Sequence, residues 1–389
     1  MLLLEIIFWT AFLLIAHSYL FYPILTQFIG SFFKNNSTVY SKEDDLPFVS
    51  ILMAAHNEEQ VIQDKIKSII ESNYPASKIE VWIGSDCSTD KTNEIIEQFA
   101  KEDARFHFYE FSNRTGKIGI INFLNKKAKG EILLLTDANV ILEKNTLFEL
   151  VKHFKNPAIS LVDSFMKHRN LKTDGISHQE SNYISNEVNT KYAEGKLWGS
   201  LMGPFGGCFA IRKVDFKTVP SNFLVDDFYT CMTVLKNRKQ CISEEKAIVI
   251  EDVSNNLNAE FKRKIRISSG NFQNLAQFYT LLFRFNGSAF AFFSHKVLRW
   301  LTPFLLILIL ALFPFLFEAN ENYVYFGFFL LLMLTCLALD LLLQKLNVHL
   351  SILRYLTHFA TMNLALFIGF FRYLRGIKSS VWEPTTRNQ

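Results

Sequence analysis

The sequence predicts an α/β domain with a mostly parallel sheet, flanked by transmembrane helices. Three observations carry this. In the middle of the chain, short apolar runs alternate with helical stripes. At both ends the apolar runs are too long for ordinary core helices. Polar and acidic clusters follow the predicted strands rather than falling at random. The chain has 389 residues, of which 49% are hydrophobic, and the uneven distribution of that fraction excludes a purely soluble protein and a disordered one. Its net charge of +4 is too small to argue for a nucleic-acid partner. The five cysteines are scattered and form no C-x-x-C pair, so neither zinc nor a disulfide frame is indicated.

Residues Leu2 to Phe33 are nearly all apolar, long enough to cross a bilayer and without a basic start or a small-residue cleavage site. They read as a retained anchor. Lys34 and Lys42 after it and Glu5 before it place the middle of the chain in the cytoplasm. Three further segments follow at the other end: Val297 to Phe317, Val324 to Leu343, and the shorter Tyr355 to Phe371 with His358 and Asn363. The acidic turn Glu318 to Asn322 suits the outer side, and Arg372, Arg375, Lys378 and Arg387 suit the inside. Three crossings would put those basic residues outside. The third segment is therefore open between a crossing, a re-entrant turn and an interfacial helix.

The predicted strands are Phe48 to Met53, Ile79 to Gly84, Phe106 to Phe111 and Glu131 to Ala138. Helical stripes run through Val61, Ile62, Ile66, Ile69 and Ile70, then Ile95, Ile96 and Phe99, then Leu147, Leu150, Val151 and Phe154. In such sheets ligands bind outside the carboxyl ends of the strands. His56-Asn57-Glu58-Glu59, Ser85-Asp86 and Thr136-Asp137-Ala138-Asn139 all fall there. Each alone reads as a solvated loop or a helix cap; together they point to one crevice.

From Pro47 to about Gly270 the chain resembles the family 2 glycosyltransferases with the GT-A fold, in their membrane-integrated branch of cellulose, hyaluronan and poly-N-acetylglucosamine synthases. PFVSILMAAHNEE is similar to the family's first strand and Asn-Glu turn, and SDCSTDKT to its Asp-x-Ser-Thr-Asp segment. RTGKIGIIN resembles its Gly-Lys segment, TDAN its Asp-x-Asp metal motif, and VDDFYTCMTVL its Thr-Glu-Asp motif. The resemblance implies donor contacts from His56, Asn57, Glu58, Asp86, Lys117, Asp137 and Arg266, with Asp86 at the uracil ring of a UDP-sugar. It implies a divalent cation, Mn²⁺ or Mg²⁺, at Asp137 and Asn139, where Asn139 replaces the usual second carboxylate. It makes Asp227 the catalytic base and puts Gly206, Gly207 and Asp226 on the acceptor side. Arg266 matches the Arg of a Gln-x-x-Arg-Trp motif in which Arg263 and Ile267 replace Gln and Trp.

The chemistry asks for these residue types. A leaving diphosphate needs its charge neutralised, which a hard cation on oxygen ligands and a lysine can do. An acceptor hydroxyl needs a base within reach. Asp226-Asp227 also reads as an acid pair stabilised at a helix N-terminus, and both readings can hold together. The Gly-rich Met202 to Lys213 is open between a bulge using positive φ and an acceptor-side segment. From Glu260 to Phe283 a basic start precedes Phe272, Leu275, Ala276, Tyr279 and Leu282, an amphipathic pattern suited to a membrane surface.

The expected organisation is an anchor over residues 1–33, a GT-A domain over 47–255, an interfacial region over 258–293, apolar segments over 295–374 and a cytoplasmic tail over 375–389. The expected activity is an inverting transfer of a sugar from a nucleotide-sugar donor to a hydroxyl of a lipid-linked or glycan acceptor. The expected location is a bacterial inner membrane, with the catalytic domain cytoplasmic and membrane lipid as a further partner. Two alternatives stand beside it: a processive synthase that exports its product, and a non-catalytic membrane scaffold.

Overall fold

Strand β1 (Val49–Ala55) is buried along its whole length and sits inside an eight-stranded sheet in the computed structural model. The structure describes residues 1–169, 177–252, 257–346, 348 and 350–377, so Lys378, Arg387 and the rest of the expected tail beyond residue 377 lie outside it. The other strands are β2 (Ile79–Asp86), β3 (Phe106–Phe111), β4 (Ile132–Thr136), β5 (Ile141–Leu142), β6 (Ile159–Arg169), β7 (Cys208–Arg212) and β8 (Gln240–Asp252). Their order across the sheet is β3-β2-β1-β4-β7-β6-β8-β5. The pairs β1–β2, β1–β4, β2–β3 and β6–β8 are parallel, and β4–β7, β6–β7 and β5–β8 are antiparallel. Because β1, β2 and β4 are mutually parallel, the residues after them emerge along one edge, where the sequence clusters fall.

Side chains alternate across the sheet as strand geometry requires. Ile51, Met53, Val81, Ile83 and Leu134 face one core, covered by helices Ile62–Ile70, Thr92–Glu102 and Thr146–Val151. Leu52, Ala54, Leu133, Leu135 and Phe209 face a second core, covered by helices Gly116–Lys127 and Asp226–Lys236. Gly84 lets the helix Gly116–Lys127 approach β2: a Cβ there would lie 2.4 Å from Cγ2 of Ile120.

The second core does not stop at the domain. Tyr22, Phe292, Val297, Trp300 and Leu366, all from the long helices at the two ends of the chain, belong to the same cluster. Among the described residues, three stretches are long and apolar enough to cross a membrane: Leu2–Gly30, Gly287–Ala319 and Tyr323–Lys345. The first two each contain a π-helical turn, His17–Phe21 and Phe292–Val297. The turns meet, with Ser18 Oγ donating to the Ser294 carbonyl at 2.8 Å and His17 Nε2 lying 2.9 Å from Ser294 Oγ. A small apolar cluster of Phe8, Ala11, Ile309, Leu316 and Tyr323 joins the outer parts of the three stretches.

The last predicted segment forms one continuous helix, Ser351–Leu374, which packs along the amphipathic helix Leu257–Phe278. Phe272 and Phe370 meet edge-on at 5.0 Å, and a Cβ on Gly369 would fall 2.4 Å from Ser268 Oγ. The helix also meets Tyr323–Lys345, with Arg354 Nε 3.4 Å from the buried Asp340.

Since a side chain at position 84 has no room, Gly84→Val should lower stability by about 1–3 kcal/mol through overpacking. Thermal or denaturant unfolding of the purified variant checks this, and unchanged stability would mean that the helix over β2 can shift without cost.

Candidate active site

Asp86 ends β2 fully buried, and its carboxylate is a collecting point for N–H donors. Oδ1 accepts from the Thr115 and Gly116 amides, and Oδ2 accepts from Gly116 N at 3.2 Å and Arg114 Nε at 3.1 Å. These amides open the helix Gly116–Lys127, where a carboxylate also meets the favourable end of the helix dipole. His56 lies between the same partners, with Nδ1 2.8 Å from the Asp86 carbonyl and Nε2 2.8 Å from Arg114 Nη1. A carbonyl and a guanidinium on either side demand Nδ1–H and a bare Nε2. Asn57 adopts φ 54° and its Oδ1 accepts from Thr89 N at 2.8 Å, while Glu58 N donates to Thr92 Oγ1 at 2.8 Å. The loops after β1 and β2 are thus knitted together.

Asp137 follows β4 and faces Lys117, whose Nζ lies 2.6 Å from Oδ1. Burial alone would lower the Lys117 pKa, but Asp137, Asp226 and Asp227 together raise it above the usual lysine value. Beneath the turn sits Lys65, fully buried, donating to Thr136 Oγ1 at 2.8 Å and to the Val140 carbonyl. Desolvation pulls its pKa down to about 8. Asn139 turns toward β8, where its Nδ2 donates to Glu251 Oε1 at 2.8 Å.

The glycine segment connects the two acidic groups. The Gly207 carbonyl accepts from Asp137 N at 2.9 Å. Gly206, at φ 92°, lies so close to Asp227 that a Cβ would fall 2.2 Å from Oδ2. Of the two readings of this segment, the positive φ is present at Gly206, next to Asp227. Asp226 and Asp227 begin the helix Asp226–Lys236. Burial, then the charge of Asp226, pushes the Asp227 carboxyl up to about 6, with Lys117 pulling against them. Under the loop, Asp163 on β6 accepts from Phe205 N at 2.9 Å through Oδ2, while its buried Oδ1 has no hydrogen-bond partner. Burial pushes its carboxyl up to about 7.

Lys117, Asp137, Gly206, Gly207, Asp226, Asp227 and Arg266 line one cavity of about 690 Å³. Burial lowers the Arg266 pKa while the charges of Asp226 and Asp227 oppose it. His56, Asn57, Glu58 and Asp86 form the neighbouring cluster and act on the cavity through the helix that carries Lys117. Three contributors went unread in the sequence: Lys65, Asp163 and the role of Glu251 as Asn139's partner. Lys65 had a signal, since it interrupts the buried stripe of Ile62, Ile66 and Ile69.

The residues present suit a hard divalent cation in part. Asp137 already attracts an ammonium group and shares the cavity with Glu251, which Asn139 engages through its Nδ2. Among the described residues no group of three or more His, Cys, Asp or Glu side chains is placed to hold a metal by itself. Such an arrangement matches cations completed by substrate oxygens and water.

Residues 50–219 match the family model described as glycosyl transferase family 2. A β-monoglucosyldiacylglycerol synthase from Nostoc sp. is 38% identical over 127 residues, 32% of this chain and 27% of that protein. A poly-β-1,6-N-acetyl-D-glucosamine synthase from Staphylococcus epidermidis is 30% identical over 164 residues, 39% of each chain. The matches therefore span well under half the length of these relatives. The solved structure of a mannosyltransferase from Pyrobaculum calidifontis, PcManGT in complex with GDP-Man and Mn²⁺, shares the fold with TM-score 0.70 at 20% identity, over 95% of this chain and 99% of that one.

A carboxylate raised to about 7 in the folded state carries stability that is present below its unfolded pKa and lost as pH rises through 7. Asp163→Asn keeps an acceptor for Phe205 N and removes the buried charge. Its gain in thermal stability over the parent should grow between about pH 4 and pH 7 and stay level above that. A pH-independent difference in melting curves would show that Asp163 is not the group that ionises.

Proposed function

We propose that the chain, whose residues 50–219 match the model of glycosyl transferase family 2, is a glycosyltransferase that moves a sugar from a UDP-sugar to a hydroxyl of a lipid-linked acceptor at a membrane surface, in a single inverting displacement. The observation that carries the proposal is the cavity itself. Its wall is shared between Asp137, Asp227 and Lys117 at the strand ends and Trp300, Phe359 and Leu366 on the long apolar helices. A site whose acids adjoin such helices suits a donor from solution and an acceptor from the bilayer.

Asp86 accepts N–H donors, which is what a uracil ring presents, so an N–H of the base would replace one of its present donors. Asp137 and Asn139 offer oxygens to Mn²⁺ or Mg²⁺, and such a cation, when bound, neutralises charge on the diphosphate. Lys117 adds a fixed positive charge at the same place and keeps it at neutral pH. The acceptor oxygen forms a bond to the anomeric carbon. The bond from that carbon to the diphosphate oxygen breaks, and its electron pair leaves with the nucleoside diphosphate. The proton of the hydroxyl passes to the Asp227 carboxylate, which is poised for this by a pKa near 6.

We read Leu2–Gly30, Gly287–Ala319 and Tyr323–Lys345 as membrane crossings and Ser351–Leu374 as an interfacial helix, because it packs along Leu257–Phe278. Two crossings after the domain return the chain to the cytoplasmic side, where Arg372 and Arg375 satisfy the positive-inside tendency. With Ile267 in place of the aromatic residue and few crossings, addition of one or a few sugars is favoured over a long polymer.

Two experiments test this. Asp227→Asn should cut transfer by about two orders of magnitude or more while nucleotide binding persists. The parent's activity should fall as pH drops through about 6. Asp226→Asn removes a like charge, so this acid limb should move to lower pH; an unmoved limb in pH–rate profiles would refute Asp227 as the titrating base. Separately, Asp137→Ala should abolish the effect of Mn²⁺ on nucleotide-sugar affinity measured by calorimetry. Retained metal dependence would remove Asp137 from the ligand set.

A further inference from the structure

Lys65 occupies a core position. It falls among Ile62, Ile66 and Ile69 on the buried face of the helix Ile62–Ile70, and no part of it reaches solvent. A charged group in such a place is costly unless it is answered there. Among the described residues no carboxylate touches it, and Asp137 acts on it through charge rather than contact. The neighbouring Cys208 thiol brings no counter-charge at neutral pH, because burial pushes its pKa up to about 11. The ammonium is answered instead by two oxygens of one turn, Thr136 Oγ1 at 2.8 Å and the Val140 carbonyl. These flank Asp137 on both sides, and within the same turn the Asp137 carbonyl accepts from Val140 N at 3.3 Å.

The direction of the first bond fixes the next. An ammonium only donates, so Thr136 Oγ1 accepts from it, and the hydroxyl proton is left for another acceptor. The Gly207 carbonyl stands 3.2 Å from Thr136 Oγ1, closer than the Asp137 carbonyl at 3.5 Å. It also accepts from Asp137 N at 2.9 Å. Gly207 follows Gly206, whose backbone lies against the Asp227 carboxylate. A chain of hydrogen bonds thus runs from the buried ammonium through Thr136 to the junction of the two acid groups, Asp137 on one side and the glycine segment beside Asp227 on the other. Hydrogen bonds in such a chain strengthen one another. Lys65 itself is not part of the cavity wall.

We propose that Lys65 is a positioning residue, which holds Asp137 and, through Thr136 and Gly207, the glycine segment beside Asp227 in one fixed relation. The inference rests on the transferase reading for what that relation serves and adds to it the residue that sets it. Without Lys65, the Val140 carbonyl and the Thr136 hydroxyl lose their shared donor, and both segments gain freedom. If Lys65 served only to fill the core, an apolar side chain of the same length would do as well.

The test uses the full-length protein in nanodiscs. Lys65→Met keeps the length and removes charge and donors, while Lys65→Gln keeps two N–H donors. Backbone amide exchange, read by mass spectrometry, should quicken about tenfold in Lys65→Met over both Thr136 to Val140 and Gly203 to Cys208, as loss of hydrogen bonds to a charged group implies. Strand β1 should exchange as in the parent, and Lys65→Gln should restore much of the protection. In calorimetry, the gain in UDP-sugar affinity that Mn²⁺ gives the parent should shrink about tenfold or more in Lys65→Met, in line with losing the group that orients a ligand. Affinity without metal should not change. If Lys65→Met does not fold, Thr136→Val should quicken exchange over Gly203 to Cys208 and Thr136→Ser should not. Parent-like exchange in either segment of Lys65→Met overturns the proposal, as does an unchanged Mn²⁺ gain. Exchange that quickens equally in β1 also overturns it, since Lys65 would then support the core alone. The expected exchange in a protein whose UDP-sugar affinity Mn²⁺ does not raise would refute the metal-assisted transferase reading and leave the hold of Lys65 on both segments standing. Sugar transfer by the parent without any exchange difference in Lys65→Met would do the reverse.

Discussion

The arrangement depends on one shared hydrophobic core. The face of the sheet formed by Leu52, Leu133 and Phe209 is buried by two domain helices and also by the long apolar helices. Phe228, one residue after Asp227, meets Trp300 at 5.5 Å and Phe292 at 6.2 Å between ring centroids. The residue next to the Asp227 carboxylate is thereby packed against the start of an apolar helix. Core packing resists displacement because its side chains interdigitate at crystal-like density. The height of Asp227 relative to those helices is set by the same contacts that hold the fold together.

The cost of this site is electrostatic. Asp137, Asp226 and Asp227 converge where Lys117, Lys191 and Arg266 are among the cations lining the cavity, and Asp163 lies beneath with one oxygen unpaired. Burial raises both Asp227 and Asp163, and the like charge of Asp226 adds to the rise at Asp227. Buried Lys65 answers the acids from below by pinning both sides of the Asp137 turn. The glycines make such proximity possible, since any side chain at position 206 would occupy the place of the Asp227 carboxylate. Strain and unmet polarity at one place are the usual signature of a site kept for function rather than for stability.

The sequence discloses what is local and hides what is distant. Strands β1 to β4 are legible because each is a short apolar run bounded by turn residues, and their ends carry the acids that line or adjoin the cavity. Strand β6 was missed because Asp163 and Ser164 interrupt its apolar pattern. Strand β8 was not read as a whole, and its pairing explains why: the register with β6 jumps from Ser243 to Ile248, and the polar Glu244, Glu245 and Lys246 fall in the gap. The helix Ser177–Trp198 lacks a strong apolar stripe and was not read as a helix. Its Glu187 finds partners 108 to 112 positions away, a relation that no local pattern encodes. The Thr136 to Asn139 segment was legible as a motif, but the engagement of Asn139 with Glu251, 112 positions on, was not.

The paired π-helical turns have a consequence for how such a chain can change over time. A π turn holds one residue more than the α-turn it replaces, and each residue of an α-helix advances the winding by about 100°. Removing a single residue from His17–Phe21 would restore regular winding and swing Leu2–Ala16 around by that angle. Phe8 and Ala11 would then leave Ile309 and Leu316, while Tyr22 and everything after it stayed in place. The same deletion in Phe292–Val297 would turn the outer helix away from its neighbour. Insertions and deletions in these two places are therefore coupled, and a lineage that loses one turn can keep its outer bundle only by losing or moving the other.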